Sequence, residues 1–113
     1  MKVAVIGSRR LLVKNLEKYL PEQVTEIVSG GADGIDSCAR AYAKQNGIKL
    51  TEFLPDYNRY PGKVAPLKRN IQIIEYADVV YAFWDGKSRG PKFVIDNCKK
   101  MGKKVRVFIS NKT

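Results

Sequence analysis

The stretch TEIVSGGADGIDSCARAYA, residues 25–43, decides the fold class. Its first five residues form an apolar, β-branched run that predicts a strand, and the glycines that follow predict a turn. From Ile35 onward, apolar residues recur at helical spacing, so the turn leads directly into a helix. A strand that passes through a glycine-rich loop into a helix is the repeating unit of a parallel α/β sheet.

The same alternation recurs along the chain. Four further strands are predicted at Lys2–Ile6, Lys49–Phe53, Asp78–Phe83 and Lys104–Ile109. Three further helices are predicted around residues 12–20, 67–74 and 94–101, where apolar side chains repeat with a helical period. We therefore expect a single Rossmann-like α/β domain over residues 1–113, with about five parallel strands in the order 3-2-1-4-5 and helices on both faces.

Composition limits the functional classes. The chain has 113 residues, which at roughly 100 to 200 residues per domain leaves room for one core. Two cysteines and no histidine exclude a disulfide framework and serine–histidine or cysteine–histidine catalysis, and we expect neither a metal nor a cofactor. The sequence has no apolar stretch of about 18 residues and no basic, apolar leader, so we expect a cytoplasmic protein with no membrane partner.

The net charge has two interpretations. It is +10 at pH 7, and the surplus is concentrated in the last quarter of the chain, from residue 85 onward. Such a surplus favours anionic partners such as nucleotides, nucleic acid or acidic lipid, and it also promotes solubility. Both interpretations stay open at this point.

The loops that follow the first four predicted strands supply candidate binding residues, because ligands of open parallel sheets bind beyond the carboxyl ends of the strands. Basic residues occupy three of the four helix starts, where the helix dipole disfavours a cation by about 0.3 to 1 kcal/mol. These residues, the basic rim, are Arg9, Arg10, Lys68, Arg69, Lys87 and Arg89. Helix N-termini and arginines together bind anions, so we predict an anion site. The alternative is that the basic side chains extend into solvent or pair with Asp33, Asp56 or Asp85.

The glycine-rich loop Gly30–Gly34 lets the backbone approach a ligand closely. It lacks the G-x-G-x-x-G spacing, and the chain has no G-x-x-x-x-G-K-[ST] segment, so ordinary dehydrogenases and P-loop NTPases are disfavoured. Two carboxylates in or next to this loop have two interpretations. Asp33 and Asp36 either hold the hydroxyls of a ribose or form a capping pair at the start of the helix.

Several of these segments together resemble the YspA/YpsA-related branch of the SLOG superfamily. The matching segments follow in order through nearly the whole chain: Gly7–Arg9, Val28–Asp36, Arg69–Asn70, Ala77–Asp78 and Phe83–Gly90. Members of the superfamily have a Rossmann-like sheet and include sensors of nucleotides and of NAD-derived molecules such as ADP-ribose, the DNA-processing protein A family and the "lonely guy" phosphoribohydrolases. The resemblance implies a nucleotide-like ligand. Together with the positions of the loops, the resemblance predicts the ligand-binding residues. They are Gly7, Ser8, Arg9, Gly30, Gly31, Asp33, Gly34, Asp36, Arg69, Asn70, Asp85, Gly86, Ser88, Arg89 and Gly90.

One departure from the phosphoribohydrolases bears on catalysis. Their segment P-G-G-x-G-T-x-x-E after the fourth strand ends in a glutamate, and here Val94 stands at that position. A valine can neither stabilise an oxocarbenium-like transition state nor activate water. Arg69 matches the arginine of that family, and with Asp85 it is the catalytic candidate if the protein is an enzyme. We therefore expect a binding protein, a sensor or a sequestering protein, with cleavage of an N-glycosidic bond as the alternative.

Single-stranded DNA binding is the third alternative. The DNA-processing family shares the pattern S-G-x-A-x-G-I-D, and a basic cluster lies near the C-terminus: Lys99, Lys100, Lys103, Lys104 and Arg106. Such cations also complement the dipole of the last helix and protect an edge strand from aggregation, and the aromatic residues Tyr57, Tyr60 and Trp84 lie near the loops instead. By family analogy and from the small core of a chain this short, we also expect a homo-oligomer.

Overall fold

The computed structural model describes residues 1–109, in which five strands alternate with three α-helices. The strands are β1 (Lys2–Gly7), β2 (Glu26–Ser29), β3 (Lys49–Glu52), β4 (Val79–Trp84) and β5 (Val105–Ile109). The helices are α1 (Ile35–Gln45), α2 (Ala65–Tyr76) and α3 (Arg89–Met101). Every predicted strand is present, and its ends shift by no more than one residue.

The strands form one sheet in the order β3-β2-β1-β4-β5, and every neighbouring pair is parallel. The predicted fold class is thereby confirmed. β1 lies at the centre, where Val3 pairs with Ile27 on one side and with Val79 on the other. Because the strands are parallel and joined by crossovers, their carboxyl ends and the loops that follow them gather at one edge.

Each face of the sheet has its own apolar core. Val3 and Val5 point towards α1 and the segment between β1 and β2, whereas Ala4 and Ile6 point towards α2 and α3. All four side chains are buried, as expected for a central strand of a sheet covered on both faces. Within residues 1–109, no helix has the length and apolar character needed to cross a membrane.

The prediction of a helix around residues 12–20 is wrong. This segment contains only a single 3₁₀ turn at Leu16–Lys18. Its anchoring side chains are Leu11, Leu16 and Leu20, which are buried at spacings that do not follow one helical stripe, while Leu12 is 72% exposed. The apolar period in the sequence therefore came from residues that do not share a face. A short isolated helix is marginal in water, so contacts of three leucines with the sheet outweigh a weak helical preference.

Candidate functional site

The carboxyl edge of the sheet contains a cavity of 590 Å³ between the loops after β1, β2 and β4 and the N-terminal halves of α2 and α3. Ten of the fifteen predicted ligand-binding residues line it. They are Gly7, Ser8, Arg9, Gly30, Asp36, Arg69, Asn70, Asp85, Ser88 and Gly90. Residues up to 83 positions apart in the chain thus meet at one surface, as the topology of a parallel sheet requires.

The other five predicted residues do not line the cavity: Gly31, Asp33, Gly34, Gly86 and Arg89. Gly34 shapes the loop instead, because its φ is +72° and a Cβ there would collide with the carbonyl group of Arg9. Only glycine adopts this conformation without strain, and no side chain at all fits beside that carbonyl. Some residues of the glycine-rich loop therefore face the cavity, whereas others allow the backbone conformation that the loop adopts.

Sequence reasoning missed an apolar wall. It is made by Ile6, Pro66, Leu67, Ile73, Pro91 and Val94. Three of these residues, Pro66, Leu67 and Pro91, belong to the first turns of α2 and α3, which follow rim loops, and that placement is the signal that was available. Val94 is 2% exposed and lines the cavity, so the position that holds a glutamate in the phosphoribohydrolases is apolar in this cavity.

Asp85 organises the loop between β4 and α3. Its Oδ1 accepts hydrogen bonds from the N–H groups of Lys87 and Ser88 at 2.8 and 2.7 Å, and its Oδ2 accepts one from the Ser88 hydroxyl at 2.6 Å. These bonds, from the Ser88 hydroxyl first, lower the pKa of Asp85 to about 2. A carboxylate so engaged is a poor proton acceptor near neutral pH, which argues against Asp85 as a catalytic base.

Ser8 joins this network from the loop after β1. Its Oγ lies 3.0 Å from the Oγ of Ser88 and accepts a hydrogen bond from the N–H of Asp85 at 3.2 Å. A hydroxyl has one proton, and that of Ser88 goes to the Asp85 carboxylate, so Ser8 donates to Ser88. The chain of hydrogen bonds from Ser8 through Ser88 to Asp85 therefore has one direction, and it ties two loops together.

Arg69 is buried although it carries a charge, with 7% of its surface exposed. Its Nη1 donates to the carbonyl groups of Gly30 at 2.7 Å and Phe53 at 3.3 Å, and its Nε donates to Oδ1 of Asn70 at 2.8 Å. Burial lowers the pKa of this guanidinium, while the charge of Asp36 opposes that change. An arginine remains cationic in proteins, so the cavity has a positive group held rigidly in its wall.

Asp36 is the buried carboxylate of the cavity, also 7% exposed. Its Oδ2 accepts a hydrogen bond from the N–H of Ala32 at 3.1 Å, and its Oδ1 has no partner among the described residues. Burial raises the pKa of Asp36, opposed by the Ala32 N–H, the charge of Arg69 and the Ser29 hydroxyl. The capping-pair interpretation does not hold, because Gly34 is the N-cap of α1 and no side chain caps that helix.

The basic rim makes no ion pairs among residues 1–109. Three ion pairs occur there, Arg40–Glu52, Lys49–Glu26 and Lys92–Asp96, and none includes a rim residue. Arg9, Arg10 and Lys87 line the cavity with Arg69. The alternative in which the rim pairs with Asp33, Asp56 or Asp85 is therefore not seen in this part of the chain, whereas all rim residues except Arg69 are exposed to solvent, as the other half of that alternative states. Four cationic side chains in the cavity face two carboxylates, so the cavity is electropositive.

Aromatic residues lie beside the cavity but do not line it. Trp84 packs under its loop, and its Nε1 donates to the carbonyl group of Ser88 at 2.9 Å. The ring of Tyr60 lies 5.7 Å from Nζ of Lys68, and Tyr57 is 61% exposed.

The family can now be stated. The model of the YspA, cpYpsA-related SLOG family matches residues 1–60. The chain belongs to this family. No curated protein and no solved structure matches it. The match covers β1, β2, α1 and β3, and the matched range contains the loop residues Ser8 to Arg9 and Gly30 to Asp36. Arg69 and the loop after β4 lie outside the matched residues.

Proposed function

We propose that this SLOG-family protein binds a nucleotide or an NAD-derived ligand, either ADP-ribose-like or a nucleoside phosphate, as a sensor or a sequestering protein. The observation that carries the proposal is the electropositive cavity at the carboxyl edge, where four unpaired cationic side chains meet the starts of α2 and α3. A volume of 590 Å³ suits a ligand of nucleotide size.

The starts of α2 and α3 favour a phosphate group in this cavity. Neither helix has an acidic residue in its first turn, and neither N-cap side chain makes a capping hydrogen bond. In α2 the N–H groups of Ala65 and Lys68 already donate to the carbonyl groups of Pro61 and Val64, so the partial positive charge of free N–H groups is available mainly at the start of α3. Arg9, Arg10 and Lys87 add full charges in the same cavity. The apolar wall then offers a surface for the flat face of a base.

Cleavage of an N-glycosidic bond receives less support. Val94, which stands where the phosphoribohydrolases have their catalytic glutamate, lines the cavity and cannot transfer a proton. Asp85 is engaged in three hydrogen bonds, and its pKa of about 2 makes it a weak base. The proposed activity is therefore binding without turnover, which chromatography of each nucleotide after long incubation at high protein concentration tests directly.

Single-stranded DNA binding also receives little support. Lys99 and Lys100 lie in the last turn of α3, roughly 15 Å along the helix from its cavity end. Lys103 donates a hydrogen bond to the carbonyl group of Ala77, so it has a structural role. The basic cluster and the cavity thus lie at opposite ends of the sheet, and no track of interleaved aromatic side chains connects them within residues 1–109.

Thermal melting tests the proposed function. We expect AMP, ADP, ADP-ribose, cyclic ADP-ribose or NAD, each at millimolar concentration, to raise the melting midpoint, on the order of 10 °C for a ligand at 100 times its Kd. The double variant R9Q/R10Q should lose most of that shift, because it removes two cations of the cavity. The matched control K99Q/K100Q changes the net charge equally at the far end of α3 and should keep it. Absence of a shift with all five compounds would contradict the proposal.

A further inference from the structure

Asp36 and Arg69 face each other across Gly30. A Cβ built on Gly30 would lie 2.6 Å from Nη1 of Arg69 and 3.0 Å from Oδ2 of Asp36. All three residues line the cavity, and both charged side chains are more than nine-tenths buried. Asp36 and Arg69 nevertheless do not form an ion pair with each other within residues 1–109. The guanidinium and the carboxylate thus pack closely on either side of the Gly30 Cα, as a buried donor and a buried acceptor of opposite charge, and the gap between them faces the cavity.

Both side chains have hydrogen-bonding capacity left over. A carboxylate accepts about four hydrogen bonds, and Oδ1 of Asp36 is buried without a partner among residues 1–109. The guanidinium donates through Nε and Nη1, and its Nη2 donates to no group in residues 1–109. A buried polar group without a partner costs free energy of folding, so such an arrangement is typical of a site that a ligand completes.

The chemistry of the gap restricts what fits there. A phosphate would be repelled by the carboxylate of Asp36, and an ammonium group would be repelled by the guanidinium of Arg69. A neutral group that both donates and accepts satisfies the two residues at once, and a hydroxyl is the smallest such group. The space between the two side chains is narrow, since a methyl group on Gly30 would already contact both of them, and a narrow space fits a hydroxyl better than the edge of a planar base.

We propose that a sugar hydroxyl of the ligand bridges Arg69 and Asp36, accepting a hydrogen bond from the guanidinium and donating one to the carboxylate, so that the site selects ribose over deoxyribose. This inference rests on the proposed function, since it names the part of a nucleotide that this end of the cavity recognises. The phosphate then lies towards the basic residues and the start of α3, away from the carboxylate.

The burial of Asp36 and the unpaired Oδ1 predict that its carboxylate does not stabilise the free protein. Burial raises the pKa of this carboxyl, which means that the fold holds its charged form at a cost. A carboxylate that served only the stability of the fold would not be buried in this way. D36N therefore melts at the same temperature as the wild type or higher, although it loses the acceptor that recognises the hydroxyl.

The test compares AMP with 2′-deoxy-AMP and 3′-deoxy-AMP by isothermal titration. Wild-type protein should bind at least one deoxy analogue about tenfold or more weakly than AMP, because that analogue leaves buried polar groups unpaired. In D36N the preference should shrink to about threefold or less. The matched control is D33N, on the same loop but outside the cavity, and it should keep the wild-type preference.

The outcomes separate this inference from the proposed function. Equal affinity of the wild type for all three nucleotides would overturn the hydroxyl bridge and leave nucleotide binding intact, whereas binding of none of them at millimolar concentration would overturn both. An unchanged preference in D36N would remove Asp36 from the site. If D36N fails to fold, G30A closes the gap and should lose the preference, while G62A, whose Cβ meets nothing within 4 Å, should keep it.

Discussion

The hydroxyl oxygens of Ser8 and Ser88 lie 3.0 Å apart, although 80 residues separate them in the chain. Ser8 follows β1 and Ser88 precedes α3, so this contact joins the two loops that meet at the centre of the sheet. Both residues line the candidate site, and Ser8 is 2% exposed. The relative position of these two loops therefore depends on a partly buried hydrogen bond between distant segments.

A double-mutant cycle measures that dependence. S8A should lower the free energy of unfolding by about 1 to 3 kcal/mol, because it leaves the N–H of Asp85 without its acceptor. S88A should cost about as much, and the double variant should cost less than the sum of the two. Urea unfolding of the four proteins gives the coupling energy. A coupling energy near zero would mean that the contact between the hydroxyls contributes nothing.

The low pKa of Asp85 predicts an acid-dependent loss of stability. Its pKa in the folded protein is about 2, below the ordinary value of 3.8, so the charged form is stabilised by folding. This contribution is fully present above about pH 4 and is lost as the pH falls towards 2. D85N lacks the titrating group, so the urea midpoints of D85N and the wild type should converge over that window. A difference that stays constant from pH 6 to 2 would contradict this assignment.

The correction to the segment between β1 and β2 predicts unequal leucine substitutions. L16A should lower the free energy of unfolding by about 2 to 5 kcal/mol, because Leu16 is 2% exposed and packs in the core under β1. L12A should change it by less than about 0.5 kcal/mol, since Leu12 is largely solvated. If a helix covered residues 12–20, both leucines would lie on its apolar stripe and both substitutions would be costly. Chemical denaturation of the two variants separates the alternatives.

The two cysteines should differ in reactivity. Cys98 is fully buried, and burial raises its pKa to about 11, so its thiolate is scarce at pH 8. Cys38 is partly exposed. We expect one thiol per chain to react with a coloured disulfide reagent in the native protein and both to react in denaturant. C38S should abolish the native reaction and C98S should retain it. Rapid reaction of both thiols in the folded wild type would be inconsistent with the burial of Cys98.

The strands were predictable because they are short apolar runs that end at turn residues, as with residues 2–7 and 25–29. The convergence of Ser8, Gly30 and Ser88 was predictable as well, because parallel strands place every following loop at one edge. The helix around residues 12–20 was mispredicted, because a periodic pattern does not reveal which apolar residues contact the sheet. The apolar wall was missed since its side chains resemble ordinary helix residues.

The chain by itself determined the alternation of strands and helices, the edge at which a ligand would bind and the positive charge of that edge, because these depend on periodicity and composition. Tertiary structure alone decided that Asp36 and Arg69 are buried on either side of Gly30 without pairing. Burial and separation depend on how α1 and α2 pack against opposite faces of the sheet, and no local pattern encodes that distance.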